Sequence, residues 1–217
     1  MTIEEVNMPF DFKKEYRDLY QPKTRPSIVE VPPMRFLVVE GSGDPNEESG
    51  AYQQALGLLY GVAYTLKMSY KTDHAIDSFF PYVVPPLEGF WYQEGLQGVD
   101  LTDKSSFHWL SCIRVPDFVG EDDFAWAKDT ATRKKRLDFS PVELSTIDEG
   151  LCVQCMHIGP YDTEPETVAA MHDYAASIGY VPDFTDVRRH HEIYLSDPRK
   201  AKPEKMKTVV RHPIRKA

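Results

Sequence analysis

The chain has 217 residues and 41% hydrophobic content, enough for one large domain or two small modules sharing a core, and too apolar for a disordered chain. A formal charge of -9 and a pI near 5.3 argue against a nucleic-acid partner, because phosphate binding needs a concentrated basic face. No apolar segment approaches the roughly 20 residues that span a bilayer, and the acidic, proline-containing N-terminus does not read as a signal peptide, so the expectation is a cytoplasmic protein with no membrane partner.

Residues 1–34 form an arm: 11–19 can make a short helix, after which Pro22, Pro26, Pro32 and Pro33 hold the chain extended against the body. Residues 34–40 read as an apolar strand, closed by the turn Gly41-Ser42-Gly43-Asp44-Pro45. The spacing of Ala55, Leu58, Leu59, Val62 and Leu66 then predicts a helix over 51–67, with Tyr52, Tyr60 and Tyr64 around it. Strands at 83–92 and 107–115 flank turn-rich residues 95–104, as an antiparallel pair with a long loop would. Residues 120–136 run from acidic to basic, the charge order a helix dipole favours, so the run 133–136 is the solvated end of a helix and not a phosphate site.

The second half repeats this plan. A strand at 150–158 is closed by Gly159-Pro160-Tyr161-Asp162, a helix follows at 164–178, and strands lie at 190–195 and 205–212. Each half is therefore β-α-β-β, and residue echoes keep the same order: Gly41 and Asp44 against Gly159 and Asp162, Glu88 against Glu192, Arg114 against Arg211. The expected fold class is α+β, with a single domain at 35–217 built of two pseudo-symmetric halves, about 35–136 and 149–213. Their joined antiparallel sheet would carry the helices on one face and leave a concave face open as a ligand cleft. Three cysteines, Cys112, Cys152 and Cys155, do not make a disulfide framework, and a strand through Cys152 and Cys155 turns the two thiols to opposite faces as inert, buried groups.

The residues that stand out lie at 190–198, His-His-Glu-Ile-Tyr-Leu-Ser-Asp-Pro. In an extended segment His190, Glu192 and Tyr194 share one side and His191, Ile193 and Leu195 the other, so a mid-strand carboxylate is flanked by an imidazole and a phenol. Strand parity brings Glu88, Phe90 and Tyr92 to the same cleft, unless a bulge at Pro85, Pro86 and Gly89 turns Trp91 in instead. The bland alternative for Glu192 is a salt bridge to Arg188, Arg189 or Arg211. A metal site is disfavoured, because adjacent histidines on a strand diverge and no spacing completes a ligand set; no cofactor is called for.

Several stretches resemble the gyrase-inhibitor-like (GyrI-like) small-molecule-binding proteins of the stand-alone bacterial kind: Asp11-Phe-Lys-Lys-Glu-Tyr16, Gly41-Ser-Gly-Asp-Pro-Asn46, Leu59-Tyr-Gly-Val-Ala-Tyr-Thr-Leu-Lys67, Pro86-Leu-Glu-Gly-Phe-Trp91, Pro116-Asp-Phe-Val119, His157-Ile-Gly-Pro-Tyr161, the 190–198 segment and Lys205-Met-Lys-Thr-Val-Val-Arg211. The resemblance implies tandem β-α-β-β modules, a cleft with an acidic residue at its base, and a planar hydrophobic small molecule as the partner. Some stand-alone members are similar to enzymes that hydrolyse cyclopropanoid DNA-alkylating natural products. Others in the family sense cationic aromatic drugs, and nothing in these residues calls for a contact with gyrase. On the hydrolase reading Glu192 activates water and Tyr161 is the candidate catalytic partner, with His157 or His190 as other donors. The expected ligand-binding residues are Trp91, Phe90, Glu88, Trp109, Tyr194, His157, His190 and Tyr60.

Overall fold

The structure, a computed structural model, describes residues 8–100 and 102–217. Two single-turn helices, α1 (Phe12–Glu15) and α2 (Arg17–Tyr20), precede strand β1 (Ser27–Val31). The first β-α-β-β unit is β2 (Met34–Ser42), α3 (Ala51–Lys67), β3 (Leu87–Tyr92) and β4 (His108–Arg114), followed by α4 (Glu121–Lys135) and β5 (Glu143–Ile147). The second is β6 (Gly150–Ile158), α5 (Glu164–Ser177), β8 (His190–Tyr194) and β9 (Lys207–Lys216), with the short β7 (Tyr180–Pro182) after α5.

The strands form one antiparallel sheet in the order β1-β6-β9-β8-β3-β4-β2-β5, and β7 pairs with β9. Each unit contributes three consecutive strands, and the two meet where β3 lies beside β8, with Gly89 opposite Glu192 and Trp91 opposite His190. Two edge strands extend the symmetry beyond the sequence-based expectation. β1 leads into β2 but pairs with β6, while β5 leads into β6 but pairs with β2. Each half thus closes the outer edge of the other, covering an edge that would otherwise present unpaired backbone groups.

Helices α3, α4 and α5 cover one face. Leu59, Val62 and Leu66 of α3 and Ala127 and Ala131 of α4 pack with Leu37, Val39, Trp91, Trp109 and Ile113. Met171 and Ala175 of α5 pack with Val153, Cys155, Val210 and Ile214. Helix α4 carries Glu121, Asp122 and Asp123 in its first turn and Arg133, Lys134 and Lys135 in its last, as the dipole argument requires. Cys152 and Cys155 do fall on opposite faces, and all three thiols are buried and free.

The opposite face is not an open cleft. The N-terminal arm lies on it, burying Phe12, Leu19 and Tyr20 against Phe36, Phe90, Cys112, Ile193 and Val209. Beneath the arm runs a buried polar cluster. His191 donates through Nδ1 to Glu149 at 2.8 Å and its Nε2 stands 3.1 Å from Glu88, while Arg211 reaches Glu149 at 3.2 Å. The cluster also grips the arm: Arg211 donates to the Leu19 carbonyl at 2.8 Å, Gln154 to that of Asp18 at 2.6 Å, and the Tyr20 hydroxyl donates to Glu88 at 3.1 Å. Burial opposes the Glu149 charge, but His191 and Arg211 outweigh it and bring the carboxyl from 4.5 to about 2.

Glu149 therefore contributes stability that is complete above about pH 4.5 and is lost as the pH falls towards about 2. Urea unfolding across that window should show the wild-type midpoint dropping and that of Glu149→Gln changing less. At neutral pH the same variant, which strips His191 and Arg211 of their shared acceptor, should be less stable by about 3–5 kcal/mol.

Candidate functional site

Glu192 faces the helices. The register of β3 on β8 places Gly89 and Trp91 on its side of the sheet, together with Ser111 and Trp109 of β4 and Val210 of β9. No bulge is needed to bring Trp91 in, since the strand begins at Leu87, after both prolines. Glu88 and Phe90 belong to the other face, which corrects their expected place beside Glu192: paired strands share side-chain faces, and Phe90 is opposite His191, on which it stacks at 3.9 Å. Glu88 is wholly buried with Tyr20 and His191. Tyr60 lies farther along α3, lining a surface pocket of about 290 Å³ with Tyr64 and Trp126.

None of the three arginines offered as a bland partner takes Glu192. Arg188 pairs with Asp183, Arg189 stands 3.9 Å from Glu40, and Arg211 serves Glu149 on the far face. The partner of Glu192 is His190, whose Nε2 donates to it at 3.0 Å and lies 3.2 Å from Glu164. All three are buried, at 8%, 1% and 2% exposure for Glu192, His190 and Glu164. Burial works against the imidazolium, but the two carboxylates overcome it and raise His190 to about 10. Burial and the neighbouring Glu192 push Glu164 up towards its neutral form, and its Oε2 has no hydrogen-bond partner.

An aromatic wall surrounds this group. Trp91 Nε1 donates to the Tyr194 hydroxyl at 2.9 Å, and Tyr52 tilts over Trp91 at 5.4 Å and meets Trp109 edge-on at 5.2 Å. Tyr161 meets Tyr194 edge-on at 6.0 Å. Burial, then the charge of Glu192, raises all three tyrosines, Tyr161 to about 12, so their hydroxyls stay protonated at neutral pH. These tyrosines are half-buried whereas Trp91 and Trp109 are buried, so the tyrosines form the more exposed side of the wall around Glu192.

Two glycines make room for the indoles. A Cβ on Gly41 would stand 2.3 Å from the Trp109 ring, and one on Gly89 would stand 2.8 Å from Trp91 Nε1 and 3.1 Å from the Tyr194 hydroxyl. His157 fixes the turn that presents Tyr161: its ring bonds the Pro160 carbonyl at 3.1 Å and the Thr167 hydroxyl at 2.8 Å.

The structure thus gathers Glu192, Tyr161, Trp91, Trp109, Tyr194 and His190, with His157 behind Tyr161. It adds Tyr52 and Glu164, which were not anticipated. A carboxylate in the first turn of a helix reads as a dipole partner, so no sequence signal separates Glu164 from Glu166. Tyr52 has a faint one, since it sits one residue into α3 much as Tyr161 precedes α5. Ligand atoms of Glu164, His190 and Glu192 all lie within 4.8 Å of one another, so these residues could meet a cation. The imidazole nitrogen facing the carboxylates is nevertheless the one that donates to Glu192, and a cation there would have to displace its proton.

A twin β-α-β-β sheet with an aromatic-walled carboxylate site between its halves is the architecture of a small-molecule-binding domain. The GyrI-like small molecule binding domain family matches residues 24–215, and the chain belongs to that family. Three solved structures from Listeria innocua are similar to it. An uncharacterized conserved protein is 49% identical with a TM-score of 0.89, and a hydrolase encoded by lin2189 is 48% identical with a TM-score of 0.88. A further hydrolase is 46% identical with a TM-score of 0.87; each match covers 95% of this chain and 100% of the other. No curated protein matches the chain. Among the described residues no helix is long and apolar enough to cross a membrane.

The fit around Gly89 gives a direct check on this geometry. Gly89→Ala should separate Trp91 from Tyr194, cost about 1–3 kcal/mol by overpacking, and shift tryptophan emission to longer wavelength as the indole loses its partner. An unchanged emission spectrum would mean that the indole does not occupy this position.

Proposed function

We propose that this chain is a hydrolase that opens the strained ring of cyclopropanoid genotoxins with water. The observation that carries the reading is the carboxylate pair Glu164 and Glu192 bracketing His190 behind a wall of protonated tyrosines. Kinship with hydrolases of Listeria innocua at 46% and 48% identity supports the reaction class.

In the proposed reaction a water held by Glu192 attacks the cyclopropane methylene. The C–O bond forms as the ring C–C bond breaks, and the electron pair moves through the conjugated dienone to its oxygen, which becomes a phenolate. Glu192 takes the water proton, and a general base of this kind contributes roughly a hundred- to ten-thousand-fold. A tyrosine hydroxyl donates to the developing oxyanion. Tyr161 is the first candidate, because its hydroxyl is a donor at neutral pH and it sits on the more exposed side of the wall. Tyr194, which accepts from Trp91, is a second donor by type. The flat substrate would lie against Tyr52 and Trp91, where aromatic faces add about 0.5–1.5 kcal/mol per contact.

Binding of a cationic aromatic drug is the rival. It is disfavoured because the protonated His190 stands between Glu192 and Glu164 and offsets part of the negative charge that a cation would need.

Incubation with a cyclopropanoid alkylator should yield a product heavier by one water. Glu192→Gln should lower the rate about a hundred-fold or more. Recovery of unchanged compound, or turnover by Glu192→Gln at the wild-type rate, contradicts the proposal.

A further inference from the structure

The carboxylate pair has a second set of neighbours that the ring-opening step does not use. His190 faces the carboxylates with Nε2, and its other nitrogen, Nδ1, stands 2.6 Å from Nε2 of His212. Nδ1 of His212 in turn stands 2.8 Å from Nε2 of His172. His190 and His212 are each 1% exposed, whereas His172, on α5, is half-buried and reaches the surface. Three of the seven histidines in the chain therefore line up nose to tail from the buried carboxylates to solvent.

The polarity of this line is self-consistent. With His190 doubly protonated, Nδ1–H donates to a neutral His212, whose own Nδ1–H donates to His172. Burial and the charge of His190 hold His212 well below its ordinary value, and burial lowers His172 as well, so both are neutral carriers. The titratable groups facing the line are Glu164 and Glu192 at its inner end and Asp173 beside His172; His157 and Tyr161 act on Glu164 and Glu192. Phe184 packs edge-on against His212 at 4.9 Å, an apolar flank for the middle ring.

We propose that His190, His212 and His172 form a proton relay through which the imidazolium held between Glu164 and Glu192 exchanges its Nδ1 proton with solvent. Outward, the proton on Nδ1 of His190 passes to Nε2 of His212 as the proton on its Nδ1 passes to Nε2 of His172 and the proton on Nδ1 of His172 goes to water. Inward, the same hops run in reverse and restore every tautomer without a ring flip. The relay deepens the hydrolase reading: when Glu192 takes a proton from water, the outward hops let His190 shed its Nδ1 proton to solvent and keep the charge of the buried cluster constant, and once the Glu192 proton has gone to the phenolate oxygen of the product the inward hops recharge His190. His212 and His172 touch no substrate and act through His190, as positioning and proton-carrying residues.

The test needs no substrate, so it fails or succeeds apart from the hydrolase reading. Histidine-labelled protein is observed by NMR, and exchange of the His190 Nδ1 proton with water is measured in wild type and in His172→Gln. Glutamine keeps a hydrogen bond to His212 but cannot pass a proton through. The relay predicts exchange slowed about ten-fold or more in His172→Gln, with unchanged thermal stability. In His172→Ala the same slowing should be reversed by added imidazole. Wild-type exchange in His172→Gln, or no response of His172→Ala to imidazole, overturns the relay.

Discussion

One main-chain register governs this molecule, the pairing of β3 with β8 that sets Gly89 opposite Glu192. It joins the two halves into one sheet, and it decides what each half brings to the seam. On the helix-covered side it meets the carboxylate with a residue that has no side chain, so Trp91 and Tyr194 can close over the gap. On the other side it sets Phe90 against His191 and brings Glu88 within reach of that imidazole. A slip of one residue would exchange the two faces, sending the arm-side ion cluster under the helices and the acid site under the arm.

The two polar clusters on this seam share a design and differ in access. Each places an imidazolium between two carboxylates, His190 between Glu164 and Glu192, and His191 between Glu149 and Glu88. Under the arm, Arg211 and Tyr20 bond Glu149 and Glu88, and carbonyls of the arm bond Arg211 and Gln154, while one Glu88 oxygen and Nε2 of His191 make no hydrogen bond. That arrangement anchors structure. Under the helices the neighbours are half-buried tyrosines at the start of α3 and just ahead of α5, and one Glu164 oxygen is left without a partner. A buried acid pair behind half-buried aromatic rings suits chemistry better than anchoring.

Much of this was legible from residue order. The helices followed from apolar spacing and the strands from alternation, and the echo of one half in the other gave the twin β-α-β-β plan. Glu192 stood out because a mid-strand carboxylate beside an imidazole and a phenol has no packing rationale. The exchanged edge strands were not legible: Ser27–Val31 lies among prolines, Glu143–Ile147 is short and partly exposed, and each pairs with the half it does not lead into. Local pattern carries no information about such a partner. The register of β3 on β8 was equally hidden, since parity shows which residues of one strand share a face but not which residues of the next strand they join. For that reason Glu88 and Phe90 were grouped with Glu192, and the line from His190 through His212 to His172, assembled from β8, β9 and α5, had no signature in sequence.

An imidazolium set between Glu164 and Glu192 offsets charge at the site and fits it for activating water against a neutral ligand rather than for capturing a cation. Calorimetric titration with a flat neutral aromatic and its permanently cationic, N-methylated counterpart tests that offset most directly. The neutral compound should bind at least as tightly as the cation at neutral pH. Clearly tighter binding of the cation, accompanied by release of a proton from the His190 cluster, would contradict it.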